Sequence, residues 1–358
     1  MQTMNSFRRH PKAVNLVIFC FTFLLFLFIA ELFFRYNGRY ATFNEKYGKP
    51  YHSLFDSDHN SWYHVYPPHG VTSQTLKEYA YSILANNEGL LDKDFTTAKT
   101  PNAFRIMVIG DSFVQGMGAE TDSTLPRQLE GILRSRYGSD PEIEVWNCGI
   151  GNSDPYFEYK LFADRLLKYN PDYVIEVVNF TDITDVILRG GNKRFNADSS
   201  VSYNAPPWFE PLYAKSFLVR SIVHDVLRYN WLFLKPKQDA EARNQSAKMI
   251  ESVLKDFEKL CIASHIPLLV AFHPGQNELE PKTEYTMQSI VNYCDSVHIP
   301  ETDIRACMLT RGLAGEKAKE FYWPIDGHCN RFGYQVFAQC ISAPIMQYLD
   351  SLNRQNLK

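Results

Sequence analysis

The sequence predicts a three-layer α/β/α sandwich with a mainly parallel central sheet, preceded by one N-terminal transmembrane helix. Two observations predict this class. Short apolar runs alternate with longer stretches of helical periodicity, an order that favours a parallel sheet covered by helices on both faces. A chain of 358 residues, 45% of them hydrophobic, is also large enough to bury the core that such a domain needs.

The first element is an apolar run over residues 13–34, which matches the roughly 20 residues that an α-helix needs to cross a bilayer. A cleavable signal peptide is the alternative, because basic residues precede the run. The best small-residue position, Ala30, has the bulky Phe28 two residues before it, which fits a cleavage site badly. We therefore predict a cytoplasmic tail over 1–12 and an uncleaved single-pass membrane anchor, with the following domain extracytoplasmic, either periplasmic or at the cell surface.

The segment 35–102 is rich in Tyr, His, Gly and Asn and has only weak periodicity, which predicts a linker and irregular packing segment. The α/β domain is predicted over 103–352. Its predicted strands and helices follow in the order 104–109 (strand), 123–137 (helix), 142–147 (strand), 155–169 (helix), 173–178 (strand), 246–264 (helix), 267–272 (strand) and a helix from about Phe332.

An insertion over 188–245 interrupts this alternation and is rich in aromatic residues, including Trp208 and Trp231. Insertions of this length in compact domains are often functional loops, and exposed aromatic rings can stack on sugar rings. The insertion could therefore form a lid, a glycan-binding wall or an extra pair of helices. For the aromatic rings themselves, the favoured interpretation is that they pack the insertion onto the sheet.

Composition excludes several classes of function. The net charge is −3, and the sequence contains no long run of charged residues of one sign. We therefore expect no nucleic-acid partner. No Cys and His residues have metal-ligand spacing, so we expect no metal site and no cofactor. Apart from Cys20 in the apolar run, six cysteines permit up to three disulfides in an oxidising compartment, and the alternative is that they are buried thiols.

Catalytic residues are expected after the strands, because ligands of open α/β sheets gather at the carboxyl ends of the strands. Gly110, Asp111, Ser112 and Phe113 follow the first predicted strand. Ser112 would begin a helical segment, where backbone N–H groups beside it could stabilise an oxyanion. Taken alone, this serine is better explained as a helix N-cap.

A second segment, Asp326-Gly327-His328, precedes the last predicted helix. A serine nucleophile needs a base that removes its proton, and the imidazole base needs an acceptor on its other nitrogen. Asp326 and His328 can supply these two groups if the turn between them is tight, which Gly327 makes easier. Taken alone, the two side chains could also be a turn residue and a surface imidazole.

Together the two segments resemble the SGNH (GDSL) hydrolase family of esterases and lipases, in the family's chain order and over about 104–349. The resemblance implies that Ser112 is the nucleophile and also an oxyanion donor through its backbone N–H. It implies that Asp326 orients His328, and that His328 acts as general base and then as general acid.

The middle segments depart from the family's pattern, which supplies two further oxyanion donors there. The glycine of the second block would fall on Asn152 by spacing, or on Gly151 if the turn is shorter. At the third block Thr181 stands where the asparagine belongs, and Thr181 or Asn179 could substitute. Because loss of one oxyanion donor costs about a hundredfold to a thousandfold in rate, this departure bears on the efficiency of hydrolysis.

Two further residues are candidates for substrate binding. His273 follows the fourth predicted strand and so lies at the substrate end of the sheet, although a structural loop histidine is the favoured interpretation. Asp182 follows the third strand. Its carboxylate could cap backbone groups or hold the Ser112 loop.

These residues predict a serine-dependent ester hydrolase that acts outside the cytoplasm and removes small acyl groups, such as acetyl, from a carbohydrate. The anchor motivates an alternative, an O-acyltransferase or accessory factor in the acylation of an exported polysaccharide, with a membrane acyltransferase as partner. The altered third segment and the aromatic insertion motivate another, a catalytically weak glycan-binding or scaffold protein.

Overall fold

A computed structural model describes residues 11–55, 61–138, 141–280 and 282–356, so most of the predicted tail over 1–12 lies outside the described residues. The helices are α1 (Pro11–Asn37), α2 (Phe43–Lys46), α3 (Ser112–Gln115), α4 (Leu125–Tyr137), α5 (Pro155–Leu161), α6 (Asp182–Arg189), α7 (Glu210–Lys215), α8 (Phe217–Ser221), α9 (Pro236–Ala263), α10 (Gln288–Val297), α11 (Ile304–Thr310) and α12 (Arg331–Asn356). The strands are β1 (Val71–Thr75), β2 (Ala80–Leu84), β3 (Ala103–Gly110), β4 (Glu142–Gly149), β5 (Tyr173–Asn179), β6 (Leu268–His273) and β7 (Glu301–Asp303). Short 3₁₀ or π segments are Thr121–Ser123, Phe162–Leu166, Leu167–Tyr169, Gly191–Arg194, Ile222–Val226, Gln276–Leu279 and Gly315–Glu320.

The chain divides into two compact units. The first unit comprises Met1–Asp56 and Ala205–Ala240 and is called the anchor unit after the anchor predicted from its apolar run. The sheet unit comprises Ser57–Asn204 and Glu241–Lys358. These boundaries differ from those expected from the sequence. Most of the predicted insertion 188–245 belongs with the N-terminal segment, and the predicted linker 35–102 is divided between the two units.

The anchor unit begins with α1, which is long and apolar enough to cross a membrane and has a mean hydropathy of 2.7 over its most apolar window. It is the only such helix among the residues that the structure describes. The rest of the unit is organised around Arg220, which is buried and donates to the Glu45 carboxylate at 2.6 Å and 2.9 Å. Its guanidinium also donates to the carbonyls of Tyr40 and Tyr213, so its charge and its donors are satisfied inside the unit.

The sheet unit contains a five-stranded parallel sheet in the order β4-β3-β5-β6-β7. Successive residues of a strand point to opposite faces. In β3, Ile106 and Val108 are buried in the core on one face of the sheet. Met107 and Ile109 are buried in the core on the other face. Both faces are therefore apolar, which explains why this strand is a continuous apolar run.

Helices cover both faces of the sheet. The core with Met107 and Ile109 packs against α5, α9 and α10, and the core with Ile106 and Val108 packs against α3, α4, α11 and α12. The predicted three-layer α/β/α class with a mainly parallel sheet is therefore confirmed. The chain continues from β3 to one face and from β5 to the other, so the crevice where ligands of such sheets bind lies at the carboxyl ends of β3 and β5.

A β-hairpin occupies part of the segment that we expected to be irregular. Strands β1 and β2 pair in antiparallel register from Val71 with Leu84 to Thr75 with Ala80. One face of β2 is buried through Tyr81 and Ile83, which form a small apolar cluster with Tyr79 and Leu91. The prediction of irregular structure is wrong here, because this short hairpin is stabilised by packing on distant residues and not by a strong local pattern.

The cysteines combine both alternatives left open by the sequence. Cys307 of α11 and Cys340 of α12 form a disulfide. The thiols of the remaining described cysteines outside α1 are free and buried. These are Cys148, Cys261, Cys294 and Cys329.

Candidate active site

Ser112 is the first residue of α3 and follows the carboxyl end of β3. Its Oγ lies 2.8 Å from Nε2 of His328, although the two residues are 216 positions apart in sequence. Nδ1 of the same ring lies 2.8 Å from Oδ2 of Asp326. Both distances are those of hydrogen bonds. The structure thus brings together the three residues that the sequence analysis singled out as nucleophile, base and orienting acid.

Glycines allow the Ser112 helix to pack directly onto the ends of the strands. A Cβ on Gly149 would lie 2.2 Å from the backbone nitrogen of Gln115 and 2.6 Å from the carbonyl carbon of Val114. A Cβ on Gly110 would lie 2.5 Å from Cγ2 of Val114. The helix ends after one turn at Gly116, which has φ +95°. The position of Ser112 therefore depends on contacts that leave no room for side chains at the strand ends.

A tight loop brings Asp326 next to the ring of His328. Gly327 adopts φ +82°, and its backbone N–H donates to the carbonyl of Trp323 at 2.8 Å. The backbone N–H of Trp323 in turn donates to the carbonyl of His328 at 2.8 Å. The Trp323 indole N–H donates to the carbonyl of Gly118 at 2.9 Å, which fixes this loop to the segment that follows α3.

The turn between β1 and β2 holds the same loop from the other side. The hydroxyl of Tyr79 donates to Oδ2 of Asp326 at 2.8 Å, the carboxylate oxygen that also lies next to His328. The carboxylate of Glu78 accepts the backbone N–H groups of Ile325 at 2.9 Å and of Asp326 at 2.8 Å. The hairpin therefore fixes both the backbone and the side chain of Asp326.

The second predicted segment supplies one available backbone donor. The N–H of Gly151 donates to Oε1 of Gln115 at 2.5 Å and is therefore occupied. Asn152 is exposed and adopts φ +62°. Within the described parts of the chain, neither Asn152 nor Ser112 has its backbone N–H in a hydrogen bond. Of the two positions proposed by spacing, Asn152 is the one whose N–H is available to an incoming oxygen.

The third predicted segment holds Asp111 in place. The side-chain amide of Asn179 donates to the Asp111 carboxylate, and its Oδ1 accepts from the backbone N–H of Thr181 at 2.6 Å and from the Thr181 hydroxyl at 2.7 Å. Asp111 in turn accepts the N–H of Phe113 at 2.9 Å and caps the Ser112 helix. These contacts occupy the Thr181 hydroxyl, the amide oxygen of Asn179 and one of its two amide hydrogens, and Asn179 is buried. Neither side chain is presented to a substrate as the expected oxyanion donor.

The structure does not provide the substrate contacts expected of Asp182 and His273. Asp182 is buried, and its Oδ2 accepts the backbone N–H of Asn179 at 2.8 Å, so it holds the loop. His273 is buried between the rings of Phe113 and Phe337, at centroid distances of 4.2 Å and 5.3 Å. Burial lowers the pKa of His273 to about 3, so the ring stays neutral and packs against the Ser112 helix. Neither side chain presents surface to a substrate.

Buried carboxyl groups surround the inner side of the site. Burial raises the pKa of Glu158 and Glu176 well above the ordinary value. The Glu176 carboxyl raises the pKa of Glu158 further, and the Asp182 carboxyl raises that of Glu176 further. Burial likewise raises the pKa of Asp182 well above its ordinary value. Protonation of these carboxyls limits the negative charge around Asp111, where an ester carbonyl attacked by Ser112 would develop negative charge of its own.

Four residues that hold the site were not among the predicted site residues. They are Glu78, Tyr79, Asp111 and Gln115. Asp111 had a local signal, because an Asp directly before a helix is a common N-cap. Tyr79 had none, since 247 residues separate it from Asp326. Among the described residues, no group of three or more His, Cys, Asp or Glu side chains is arranged to hold a metal ion.

No family model matches this sequence, and no curated protein matches it either. Among solved structures, a two-domain esterase active on acetylated mannans matches with 13% identity and a TM-score of 0.40, over 67% of this chain and 47% of that chain. An acetyl xylan esterase matches with 17% identity and a TM-score of 0.39, over 68% of this chain and 100% of that chain. A lipase/acylhydrolase from Enterococcus faecalis matches with 12% identity and a TM-score of 0.39, over 68% of this chain and 95% of that chain. The aligned part of this chain spans about half the length of the two-domain esterase.

Proposed function

We propose that this protein is a serine-dependent ester hydrolase of the SGNH type. The observation that carries the proposal is the continuous chain of hydrogen bonds from Ser112 Oγ through the His328 ring to Asp326, with 2.8 Å at each step. A serine, an imidazole and a carboxylate in this order are the groups that nucleophilic attack on an ester requires.

In the proposed reaction, the Ser112 oxygen attacks the ester carbonyl while Nε2 of His328 takes the hydroxyl proton. The Asp326 carboxylate accepts a hydrogen bond from Nδ1–H of the ring and so keeps Nε2 available as a base. The protonated imidazole then gives its proton to the leaving alcohol, and the acyl group remains on Ser112. In the second half of the reaction, water deprotonated by His328 attacks the acyl carbonyl. The bond to the Ser112 oxygen breaks, His328 returns the proton to that oxygen, and the acid is released.

The oxyanion would be stabilised by the backbone N–H groups of Ser112 and Asn152. Their availability, in contrast to the occupied N–H of Gly151, supports this assignment. No third donor is assigned, because Asn179 and Thr181 bind Asp111 and each other. We expect hydrolysis to be slower than in a site with three donors, by about a hundredfold to a thousandfold.

We further propose that the protein acts outside the cytoplasm, anchored by α1, on acetyl or other small acyl esters of a carbohydrate. The anchor is supported by the length and hydropathy of α1, none of whose residues is buried. The substrate class follows from the sequence resemblance to the SGNH hydrolases.

The test uses the full chain in detergent and a chromogenic acetyl ester. We expect Ser112→Ala to lower kcat by at least about a thousandfold, because removal of the nucleophile leaves only the binding and oxyanion contributions. A fluorophosphonate should label the wild-type chain on Ser112 and leave the variant unlabelled. Ser135→Ala, a change at an exposed serine of α4, is the matched control and should retain full activity and labelling. Undiminished turnover by Ser112→Ala would refute the assignment.

Acyl transfer is a second candidate function for the same residues, and α1 is the observation that favours it. A membrane anchor keeps an enzyme close to nascent glycans at the membrane, where a sugar hydroxyl could replace water in the second half of the reaction. Adding a polysaccharide acceptor to the same assay would distinguish the two. Transfer to the glycan faster than release of free acid would identify a transferase.

A further inference from the structure

We propose that the exposed apolar residues of the anchor unit form a surface that lies in the interfacial region of a lipid bilayer. This apolar surface consists of Trp208, Leu212, Ile222, Val226 and Leu227. The inference is independent of the ester chemistry and rests on the proposal that α1 spans a membrane.

The segment that carries this surface is fixed to the end of α1. The carboxylate of Glu31 accepts the backbone N–H groups of Phe217 at 3.1 Å and Leu218 at 2.9 Å, at the start of α8. One turn further along α1, Arg35 donates to the carbonyl of Lys215 at 2.9 Å. The apolar run of α1 ends at this level, so α8 begins within about 5 Å, one helical turn, of the depth where a spanning helix leaves the hydrocarbon layer.

The helices of this segment have one buried side and one exposed apolar side. Ile222 and Val226 are four residues apart on one helical face and are 42% and 69% exposed, and the neighbouring Leu227 is 49% exposed. Leu212 on α7 is 59% exposed, and Trp208 just before α7 is 91% exposed. The buried residues of the same stretch are Glu210, Tyr213, Phe217, Arg220, Ser221 and Val223. Large apolar side chains exposed at this density indicate an interaction surface.

Charge favours a membrane as the occupant. Outside α1, residues 38–55 and 205–240 contain eight Lys and Arg against four Asp and Glu, whereas the whole chain has a net charge of −3. Glu45 forms an ion pair with Arg220 inside the unit, and Asp225 forms one with Arg39. The exposed basic residues other than Arg39 are Lys46, Lys49, Lys215, Arg228, Lys235 and Lys237. Each basic residue near an anionic leaflet is attracted by about 1 kcal/mol.

Apolar and aromatic residues flanked by basic residues, at the end of a spanning helix, are the composition of an interfacial membrane segment. Trp208 is well suited to this position, because indole rings favour the headgroup level of a bilayer. The anchor unit would then be attached to the membrane through both α1 and the apolar surface. Two attachments prevent free rotation of the unit about the axis of α1.

The test attaches an environment-sensitive fluorophore to one exposed cysteine at a time. The labelled full chain is studied in vesicles of phosphatidylcholine and phosphatidylglycerol. The variants Leu212→Cys and Val226→Cys are made in a Cys20→Ser background, and Glu316→Cys, at an exposed position of the sheet unit, is the matched control. We expect lipids brominated near the headgroup end of the acyl chain to quench the fluorophore at 212 and 226 by about twofold or more and to leave 316 unquenched.

The native Cys20, exposed in the middle of α1, tests the premise separately. If α1 spans the bilayer, a fluorophore on Cys20 is quenched by lipids brominated near the terminal methyl. Absence of this quenching would overturn both the proposal that α1 spans the bilayer and the proposal that the apolar surface lies in its interfacial region. Quenching at Cys20 with 212 and 226 behaving like 316 would overturn the surface alone and assign it to a protein partner or to a second copy of the chain.

Discussion

At the residue scale, Asp326 is the most heavily constrained member of the candidate triad. Its Oδ2 lies 2.8 Å from both the Tyr79 hydroxyl and Nδ1 of His328, and Glu78 fixes its backbone N–H. The hydroxyl of Tyr79 thus stabilises the carboxylate that orients the proposed base. Orienting contacts of this kind affect the rate of the chemical step more than the binding of substrate.

We expect Tyr79→Phe to lower kcat about tenfold with little change in KM. The variant removes one hydrogen bond to a charged group, worth about 1.5–3 kcal/mol, and part of this is lost from the transition state. Steady-state kinetics with an acetyl ester measure both constants. Tyr81→Phe is the matched control, since the Tyr81 hydroxyl donates to Gln74 and not to Asp326. Equal kcat values for the two variants, at equal thermal stability, would remove Tyr79 from the positioning role.

Glu301 lies in the edge strand β7, and its raised pKa makes the free energy of unfolding depend on pH. Burial, with Asp295 and Asp303 nearby, raises the pKa of Glu301 to about 7. A carboxyl with a raised pKa in the folded state makes folding less favourable as pH rises from the unfolded pKa of about 4.5 through about 7. Glu301→Gln should therefore be more stable than wild type by about 1 kcal/mol at about pH 8 and equal to it at about pH 4.5.

Chemical denaturation of the detergent-solubilised chain, followed by tryptophan fluorescence, measures this difference. Glu316→Gln replaces a carboxylate that is exposed to solvent and should change nothing at either pH. A stability gain of Glu301→Gln that is the same at both pH values would contradict the titration and indicate a packing effect.

At the element scale, the Ser112 helix depends on its contact with the end of β4. In Gly149→Ala the new methyl group would overlap backbone atoms of Gln115 and Val114, at 2.2 Å and 2.6 Å. Backbone atoms cannot rotate away, so α3 must shift and move Ser112 relative to His328. We expect kcat to fall by about a hundredfold or more, because a displacement of about 1 Å costs this much in a positioned site.

Gly131→Ala is the matched control for this substitution. Gly131 lies on the exposed side of α4, and a Cβ there meets no atom within 4 Å. It should leave kcat unchanged and stabilise the chain by about 0.5–1 kcal/mol, because alanine is the better helix former. Wild-type kinetics for Gly149→Ala would show that the strand contact does not position Ser112.

The elements that the sequence predicts well are those whose burial is uniform. Strands β3, β4, β5 and β6 are buried on both faces, so each appears as an apolar run and its predicted ends fall within about two residues of the observed ones. Strand β7 was not predicted, because its three residues are charged or polar and only partly buried. It pairs with β6 through a tertiary contact that no local pattern indicates.

The candidate site likewise contains residues that local motifs indicate and residues whose role depends on tertiary contacts. Ser112, Asp326 and His328 occur in short motifs with chemically distinctive residues, so they could be predicted. Asn179 has a suitable side chain for an oxyanion donor, but its amide is taken by Asp111, a partner 68 residues away. Tertiary contacts decide which of the candidate donor groups already makes a hydrogen bond inside the protein. The oxyanion donors could therefore be predicted only as alternatives.

At the scale of the whole molecule, each compact unit contains its own buried arginine. Arg220 of the anchor unit pairs with Glu45 at 2.6 Å. Arg105 of the sheet unit pairs with Glu144 at 2.9 Å and lies over the ring of Trp146 at 4.0 Å. Removing the charge of either carboxylate leaves a buried guanidinium without compensation, which is costly in a low-dielectric interior.

This pairing predicts that the two units can be destabilised separately. Glu45→Gln should destabilise the anchor unit by about 2–4 kcal/mol, and Glu144→Gln should destabilise the sheet unit by a similar amount. Limited proteolysis of the heated chain, read at residues 205–240, reports on the anchor unit, and loss of ester hydrolysis reports on the sheet unit that contains Ser112. Glu45→Gln should lower only the temperature of proteolysis within 205–240, whereas Glu144→Gln should lower the temperature at which hydrolysis is lost. If Glu45→Gln lowers both temperatures equally, the two compact units unfold together as one cooperative unit.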